Sequence, residues 1–209
     1  VVLIFVGVMS VTPDKDEIRE NQAESNGHRW GKQIFFMGIA ILGIGLFWMQ
    51  KDHYKAYQQW NKAQMFYNNK AYEAALEVYE PLYPLLKHKP EFLFEAAQSL
   101  SKTGQYEKAN EYLERAVLLS SDPMLYYVMA KNEQCLGEYR QAEKHLLHAI
   151  DILPERIYPY YLLMNLYTEP SYFQPAKLKM AIDSVLTKKP KVESSAIKEM
   201  KEKARSMLN

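Results

Sequence analysis

Apolar and polar positions recur along this chain with a period of about 34 residues. The stretch GQYEKA begins at Gly104, GEYRQA begins at Gly137 and KAYEAA begins at Lys70. Each stretch starts at a turn position, places a tyrosine two residues later and places an alanine five residues later. On both sides of these turns, bulky and small residues recur at helical spacing. The pattern predicts pairs of helices joined by a short turn and stacked along the chain.

This period and residue pattern are typical of tetratricopeptide repeats (TPR). We predict an array over residues 51–190, with repeats at about 56–89, 90–122, 123–156 and 157–190, followed by a capping helix over 191–209. The predicted fold class is all-α: an N-terminal transmembrane helix, then a TPR right-handed α-solenoid of helix-turn-helix pairs, then a C-terminal capping helix.

Small and special residues define the predicted helix pairs. Gly104 and Gly137 are expected to end the first helix of their pairs in the left-handed conformation. Pro81 and Pro84 are expected to kink or shorten the second helix of the first pair. The fourth repeat has no glycine in its turn. Alanines are expected where the two helices of a pair cross, at Ala63, Ala97 and Ala130 on first helices and at Ala75, Ala109 and Ala142 on second helices.

A different pattern occupies the first fifty residues. Residues 33–50 (QIFFMGIAILGIGLFWMQ) carry no charge, and Trp30 and Trp48 bracket them. In a helix these tryptophans are about 27 Å apart, close to the thickness of a bilayer core. We predict a transmembrane helix at 33–50, with a buried core helix of a soluble protein as the alternative. Residues 12–32, which mix both charges and include Asn26 and Gly27, are predicted to be a polar loop.

Residues 1–11 (VVLIFVGVMSV) are apolar but too short to span a bilayer as a helix. We interpret them as the end of a truncated transmembrane segment, and the chain as a fragment of a longer protein. A signal-peptide remnant and a buried core segment are the alternatives.

Composition and motifs indicate no catalytic or metal-binding site. The net charge of +1 gives no reason to expect a nucleic-acid partner, and a single cysteine, Cys135, excludes an internal disulfide framework. His145 and His148 lie three residues apart, but no third ligand is nearby, and we expect both to face solvent. The sequence contains no phosphate-binding loop, nucleophile elbow or paired carboxylates. We therefore predict no catalytic residue, no cofactor and no metal site, and this fragment is not expected to be an enzyme.

Binding is the more promising role. The fifth position of each repeat, which faces the inner groove of such arrays, is aromatic in all four repeats: Trp60, Phe94, Tyr127 and Tyr161. An aromatic column can accept an apolar peptide, a lipid portion or a sugar face. The alternative is that these rings pack between repeats. Lys131 and Asn165 add polar groups to the predicted groove, but together with Lys102 they are too scattered for a carboxylate clamp.

The segment KPKVESSAIKEM, from Lys189 to Met200, resembles a recurring closing motif of O-antigen ligase/polymerase family membrane proteins of the Bacteroidetes type. The chain as a whole is similar to their C-terminal region, where a membrane helix leads into TPRs. The resemblance implies a parent protein that transfers polysaccharide from a lipid carrier, using an exported loop that is absent from this sequence. No catalytic residue is assigned for that reason.

The resemblance also implies a bacterial inner-membrane location with a periplasmic array. The distribution of basic residues leans slightly the same way, with Lys15, Arg19, Arg29 and Lys32 before the apolar stretch and Lys51, Lys55 and Lys62 after it. The leading hypothesis is a non-catalytic, membrane-anchored TPR module that binds a protein, a glycan or a lipid-linked glycan at the end of a polysaccharide ligase or polymerase. The alternative is a membrane-anchored scaffold for an envelope complex unrelated to glycan transfer.

Overall fold

The computed structural model describes residues 15–190 and 192–208, and all regular secondary structure in these ranges is helical. The predicted all-α class with TPR-like repeats is confirmed. The interpretation of residues 1–11 lies outside the described residues. The elements are α1 (Lys15–Asn68), α2 (Tyr72–Leu86), α3 (Pro90–Lys102), α4 (Tyr106–Val117), α5 (Pro123–Leu136), α6 (Tyr139–Ile152), α7 (Tyr158–Leu166), a 3₁₀ turn (Pro170–Tyr172), α8 (Pro175–Thr187) and α9 (Ser195–Ser206).

The loop predicted for residues 12–32 is wrong from Lys15 onward, because α1 begins there. The sequence between Lys15 and Lys32 contains no proline and is rich in Glu, Gln, Arg and Lys, which favour helices. Its two glycines, Gly27 and Gly31, each cost a helix only about 1 kcal/mol. The Asn-Gly pair therefore favours a loop less strongly than the surrounding composition favours a helix.

The chain divides into two units, one ending at Tyr54 and one beginning at Lys55. In the first unit, all side chains from Phe35 to Phe47 are exposed. A methyl group added at any glycine of this stretch would meet no other atom within 4 Å. Among the described residues, one helix, α1 from Phe35 onward, is long and apolar enough to cross a membrane. A signal sequence near the start of a chain shares these features.

Paired helices build the second unit. The last part of α1 joins α2 through the turn at Lys70 and shares a core with it, and the pairs α3 with α4, α5 with α6 and α7 with α8 follow. The first helices of consecutive pairs also touch, at α3–α5, α5–α7 and α7–α9. The first helices therefore form one layer and the second helices another. Six alanines predicted at the helix crossings are all buried: Ala63, Ala75, Ala97, Ala109, Ala130 and Ala142.

Three turns between paired helices share one hydrogen-bond pattern. Gly104 and Gly137 have φ of 81° and 79°, which confirms the predicted left-handed conformation, and Lys70 has φ of 61° at the same position of the first pair. In each turn, the next amide donates to the carbonyl five residues earlier, the 6→1 bond of a Schellman motif. These bonds are Ala71 to Phe66 (2.9 Å), Gln105 to Leu100 (2.9 Å) and Glu138 to Glu133 (2.8 Å).

The shortening expected for α2 is also wrong, since the helix continues through Pro81 and Pro84 to Leu86. Both prolines are exposed and three residues apart. The carbonyl groups that lose a partner belong to the exposed residues Glu77 and Glu80, where water can replace the missing N–H. The opposite side of α2 is buried in the core, at Ala75, Leu76, Tyr79, Leu82 and Leu86.

A capping helix, α9, closes the array. The Ser194 side chain accepts a hydrogen bond from the Ile197 amide at 3.3 Å and so caps the start of this helix. Ala204 is fully buried, and Ile197, Met200 and Met207 pack against the core of the last two pairs. The remaining face is mostly charged, as a terminal helix of a repeat array needs to be.

Candidate binding surface of the first helices

Fifth-position residues of the first two repeats lie close together on α1 and α3. The Trp60 ring packs edge-on against Phe92, with the centroids 5.8 Å apart, and the half-buried Phe94 packs against the same core. The Trp60 Nε1 donates to Glu95 Oε2 at 2.7 Å. Trp60 therefore holds neighbouring repeats together, which was the alternative interpretation of the aromatic column. Phe94 keeps part of its ring accessible.

Glu95 is the centre of a polar cluster between α1, α2 and α3. Its carboxylate accepts from Trp60 at 2.7 Å, from the Gln64 Nε2 at 2.8 Å and from the Tyr79 hydroxyl at 3.1 Å. Burial, followed by the charge of Glu95, raises the pKa of Tyr79 above its ordinary value. The same two causes raise the pKa of Tyr67, which also donates a hydrogen bond to a neighbouring glutamine. These phenols stay neutral and act as donors.

The third and fourth fifth-position residues have different surroundings. Tyr127 is buried, and its ring packs edge-on against Tyr158 with the centroids 5.2 Å apart. Burial raises the pKa of Tyr127, although the charge of Arg156 acts in the opposite direction. Tyr161 is half-buried under the Lys203 Nζ, which lies 5.4 Å from the ring centroid. The structure therefore does not bring the four predicted rings together as one open column.

Asn165 and Lys131 differ in their accessibility. The Asn165 Oδ1 accepts from the Lys203 Nζ of α9 at 2.8 Å, so the capping helix covers the last first-helix position. Lys131 is exposed on α5. The accessible part of the predicted surface thus lies on α3 and α5 and at the starts of the first helices. It includes Phe94, Lys131 and the partly exposed side chains of Tyr57, Met124 and Tyr158.

His145 does not face solvent as predicted. Its Nδ1 lies 2.9 Å from the carboxylate of Glu133, which is buried on α5, and its ring lies beside Tyr126. His148 is exposed and packs edge-on against the same tyrosine, 4.6 Å between centroids. A buried carboxylate needs a partner, and His145 supplies it across the helix pair. In the described part of the chain, no group of three or more potential metal ligands converges.

Glu143 anchors the fourth pair to the third. Its carboxylate accepts from the Tyr167 hydroxyl at 2.6 Å, the Tyr172 hydroxyl at 2.7 Å and the Lys177 Nζ at 2.7 Å. Burial alone would raise the pKa of the Glu143 carboxyl, but the hydrogen bonds from Lys177 and the two tyrosines outweigh it, and the pKa is lowered. Burial and these bonds raise the pKa of Tyr167 and of Tyr172. The cluster ties α6 to the turn between α7 and α8 and to the start of α8.

An apolar cleft of about 640 Å³ lies where the third pair, the fourth pair and the capping helix meet. The turn before α7 contributes Leu153 and Arg156, the first residue of α7 contributes Tyr158, and the segment after α8 contributes Val192 and Ile197. The segment that suggested the O-antigen ligase resemblance therefore lines a cleft. The repeat pattern ends before this segment, so the pattern could not predict the cleft.

Glu95 and Lys203 are the important residues that the sequence interpretation missed. Glu95 stands in the run FLFEAA on α3, and a charge among buried positions is a signal of a buried polar cluster. Lys203 carries no comparable signal, because its partner Asn165 is 38 residues away and on another helix.

Comparisons with known proteins agree with the fold. A family model described as "Anaphase-promoting complex, cyclosome, subunit 3" matches residues 68–149. No curated protein sequence matches the chain. Among solved structures, MamA from Desulfovibrio magneticus RS-1 is 21% identical, with a TM-score of 0.59, and the alignment covers 74% of this chain and 91% of that one.

Two further structures show the same architecture. Another crystal structure of MamA is 17% identical with a TM-score of 0.58, over 73% of this chain and 87% of that one. TPR-like repeats of a kinesin light chain from Podospora anserina are 17% identical with a TM-score of 0.54, over 73% and 86%. At this identity the likeness concerns the fold, which is that of TPR-like helical repeats.

Proposed function

We propose that this chain is a non-catalytic, membrane-anchored repeat module that binds a protein partner on its first-helix layer. The observation that carries the proposal is the accessible strip formed by Phe94, Lys131 and the exposed starts of the first helices. It combines an aromatic ring with a cation on a rigid two-layer scaffold. Such a surface suits an extended peptide segment with apolar and acidic side chains. The apolar stretch of α1, exposed from Phe35 to Phe47, supports the membrane anchor.

Site-specific crosslinking tests this proposal. A photoreactive amino acid at Phe94 or Lys131 of the full chain is expected to give a discrete crosslinked protein in membranes of the source cells. The matched control is Glu111, which is exposed on α4 in the second-helix layer. The double variant F94E/K131E should abolish capture by a probe placed at Met124. Equal crosslinking at positions 94, 131 and 111, or none at 94 and 131, would contradict the proposed surface.

A glycan is the second candidate ligand, because the Tyr57 and Tyr158 rings are 38% and 37% exposed on the same layer. Aromatic faces of this kind can stack on sugar rings. Saturation-transfer NMR from the aromatic protons to purified cell-surface polysaccharide tests this. Signal on the polysaccharide that disappears in Y57A/Y158A supports a glycan, and absence of any transfer removes this candidate.

The polysaccharide context and the periplasmic location are also proposals. The first rests on the resemblance of the segment from Lys189 to Met200, and the second rests on that resemblance and on the basic residues around the apolar stretch. Cys135 makes the orientation testable, since it is exposed on α5. A membrane-impermeant thiol reagent added to intact spheroplasts should label Cys135. Labelling only after the membrane is opened would place the array in the cytoplasm.

A further inference from the structure

The turns of the second unit lie at two opposite edges. Consecutive helices are antiparallel, so turns within pairs (69–71, 103–105, 137–138 and 167–174) lie at one edge. Turns between pairs (87–89, 118–122, 153–157, and 188–190 with 192–194) lie at the other, which we call the pair-joining edge. The chain enters the unit at Lys55, and residues 55–68 of α1 match the 13 and 14 residues of α3 and α5 in length. The entry point therefore lies at the pair-joining edge.

Exposed apolar side chains concentrate at the pair-joining edge. Leu118 is 83% exposed and Val192 is 75% exposed, and Leu119 and Leu153 are exposed in the same set of turns. In the described turns of the opposite edge, Phe173 is the one large apolar side chain that is exposed. Leu118 and Val192 keep most of their surface exposed and so bury little apolar area in the array. Their concentration at one edge marks an interaction surface.

The two edges also differ in the charge of their turns. The described pair-joining turns carry five basic residues, Lys87, Lys89, Arg156, Lys188 and Lys189, against three acidic ones, Asp122, Glu155 and Glu193. The turns within pairs carry one basic residue, Lys70, against two acidic ones, Glu138 and Glu169. The whole chain has a net charge of only +1, so the excess of cations is a property of this edge. Cations beside exposed apolar side chains are the combination that binds anionic lipid surfaces.

We propose that the pair-joining edge lies on an anionic lipid bilayer, with Leu118 and Val192 inserted among the headgroups. The inference rests on the proposed membrane anchoring, which brings the chain to a bilayer surface. The apolar cleft beside Leu153 and Val192 adjoins the exposed Arg156, and it gives lipid a recess at the same edge.

The test uses the full chain in a C135S background, with a single cysteine placed at Leu118, Val192 or Phe173. Each is labelled with a polarity-sensitive dye and reconstituted into phosphatidylcholine vesicles with or without phosphatidylglycerol and containing headgroup-level spin-labelled lipid. Dyes at positions 118 and 192 are expected to shift to the blue and to be quenched. The dye at position 173, on the opposite edge, is the matched control and should remain unquenched.

Charge provides a second measurement. Replacing Lys87 and Lys189 by glutamine should weaken edge binding to phosphatidylglycerol vesicles about fivefold per cation removed. Replacing Lys102, exposed at the opposite end of α3, should leave it unchanged. A blue shift at position 118 without lipid quenching would indicate a protein on this edge and would overturn the inference. So would equal quenching at positions 118 and 173.

Failure of the anchor can be distinguished from failure of the edge. If the chain is removed from vesicles by an alkaline carbonate wash, the proposed membrane anchoring is wrong, and the edge inference fails with it. If the chain resists the wash and no dye is quenched, the anchoring holds and the edge inference alone is overturned.

Discussion

Replacing Lys70 by glycine is expected to stabilise the protein, although the change removes a side chain. Lys70 has φ of 61° at the turn position that Gly104 and Gly137 occupy in the next two pairs. A residue with a Cβ pays about 1–2 kcal/mol for the left-handed conformation. Glycine avoids this strain but loses about 0.5–1 kcal/mol more backbone entropy on folding. The difference predicts that Lys70→Gly raises the free energy of unfolding by about 0.5–1 kcal/mol.

The reverse changes provide the matched comparison. A Cβ added at Gly104 or Gly137 would meet no atom within 4 Å, so Gly104→Ala and Gly137→Ala introduce backbone strain without a steric clash. Each should lower the free energy of unfolding by about 0.5–1 kcal/mol. Lys70→Ala keeps a Cβ in the same conformation and removes only an exposed side chain. It should change the free energy of unfolding very little.

Urea unfolding of the full chain in one detergent, followed by far-UV circular dichroism, measures these differences. Because repeats unfold partly independently, amide exchange of residues 55–86 should be followed as well. Lys70→Gly should slow exchange in this first pair and leave the fourth pair unchanged. A decrease in stability for Lys70→Gly, or no effect of Gly104→Ala, would refute the assignment of strain to this turn position.

Three other substitutions test the packing of the array. Glu143→Gln should lower the melting temperature at neutral pH, and the difference from wild type should shrink in acid. The lowered pKa of this carboxyl means that its contribution is lost as the pH falls through the folded-state value. Glu95→Ala should cost about 1–3 kcal/mol and speed amide exchange around Trp60, since it leaves the half-buried Trp60 and the buried Tyr79 donors unpaired. Wild-type exchange there would contradict the cluster. Ala97→Leu should cost about 1–3 kcal/mol in urea unfolding, because Ala97 is fully buried, and a neutral result would show that the helix crossing has room.

Local features of the fold could be predicted from the sequence because they depend on spacing and on special residues. Gly104 and Gly137 supply the left-handed residue that a Schellman turn needs, and Ser194 supplies a side-chain acceptor for an exposed helix start. The prolines of α2 misled for a related reason. A local rule gives the free-energy cost of a proline such as Pro81 inside a helix. The rule does not take into account that Pro81 lies on the exposed side of α2, where water can bond to the free carbonyl.

The candidate surface was less predictable, because it depends on which faces of distant helices meet. The repeat template places Trp60 and Tyr127 in a groove, but their surroundings depend on Glu95, 35 positions after Trp60, and on Tyr158, 31 positions after Tyr127. His145 shows the same limit. The template placed it toward solvent, but the partner that draws it inward is a buried glutamate on the other helix of its pair.

Stability and binding share residues on the first-helix layer, and this decides which variants can test function. Trp60 donates to Glu95 and packs on the core, so truncating it weakens the contact between the first two repeats as well as any ligand contact. Tyr127 is buried and has the same drawback. Lys131 is exposed, and Phe94 keeps part of its ring accessible. If F94E/K131E loses partner binding while amide exchange in α3 and α5 is unchanged, the loss can be assigned to the binding surface. The same loss in W60A could result either from a changed surface or from a weakened fold.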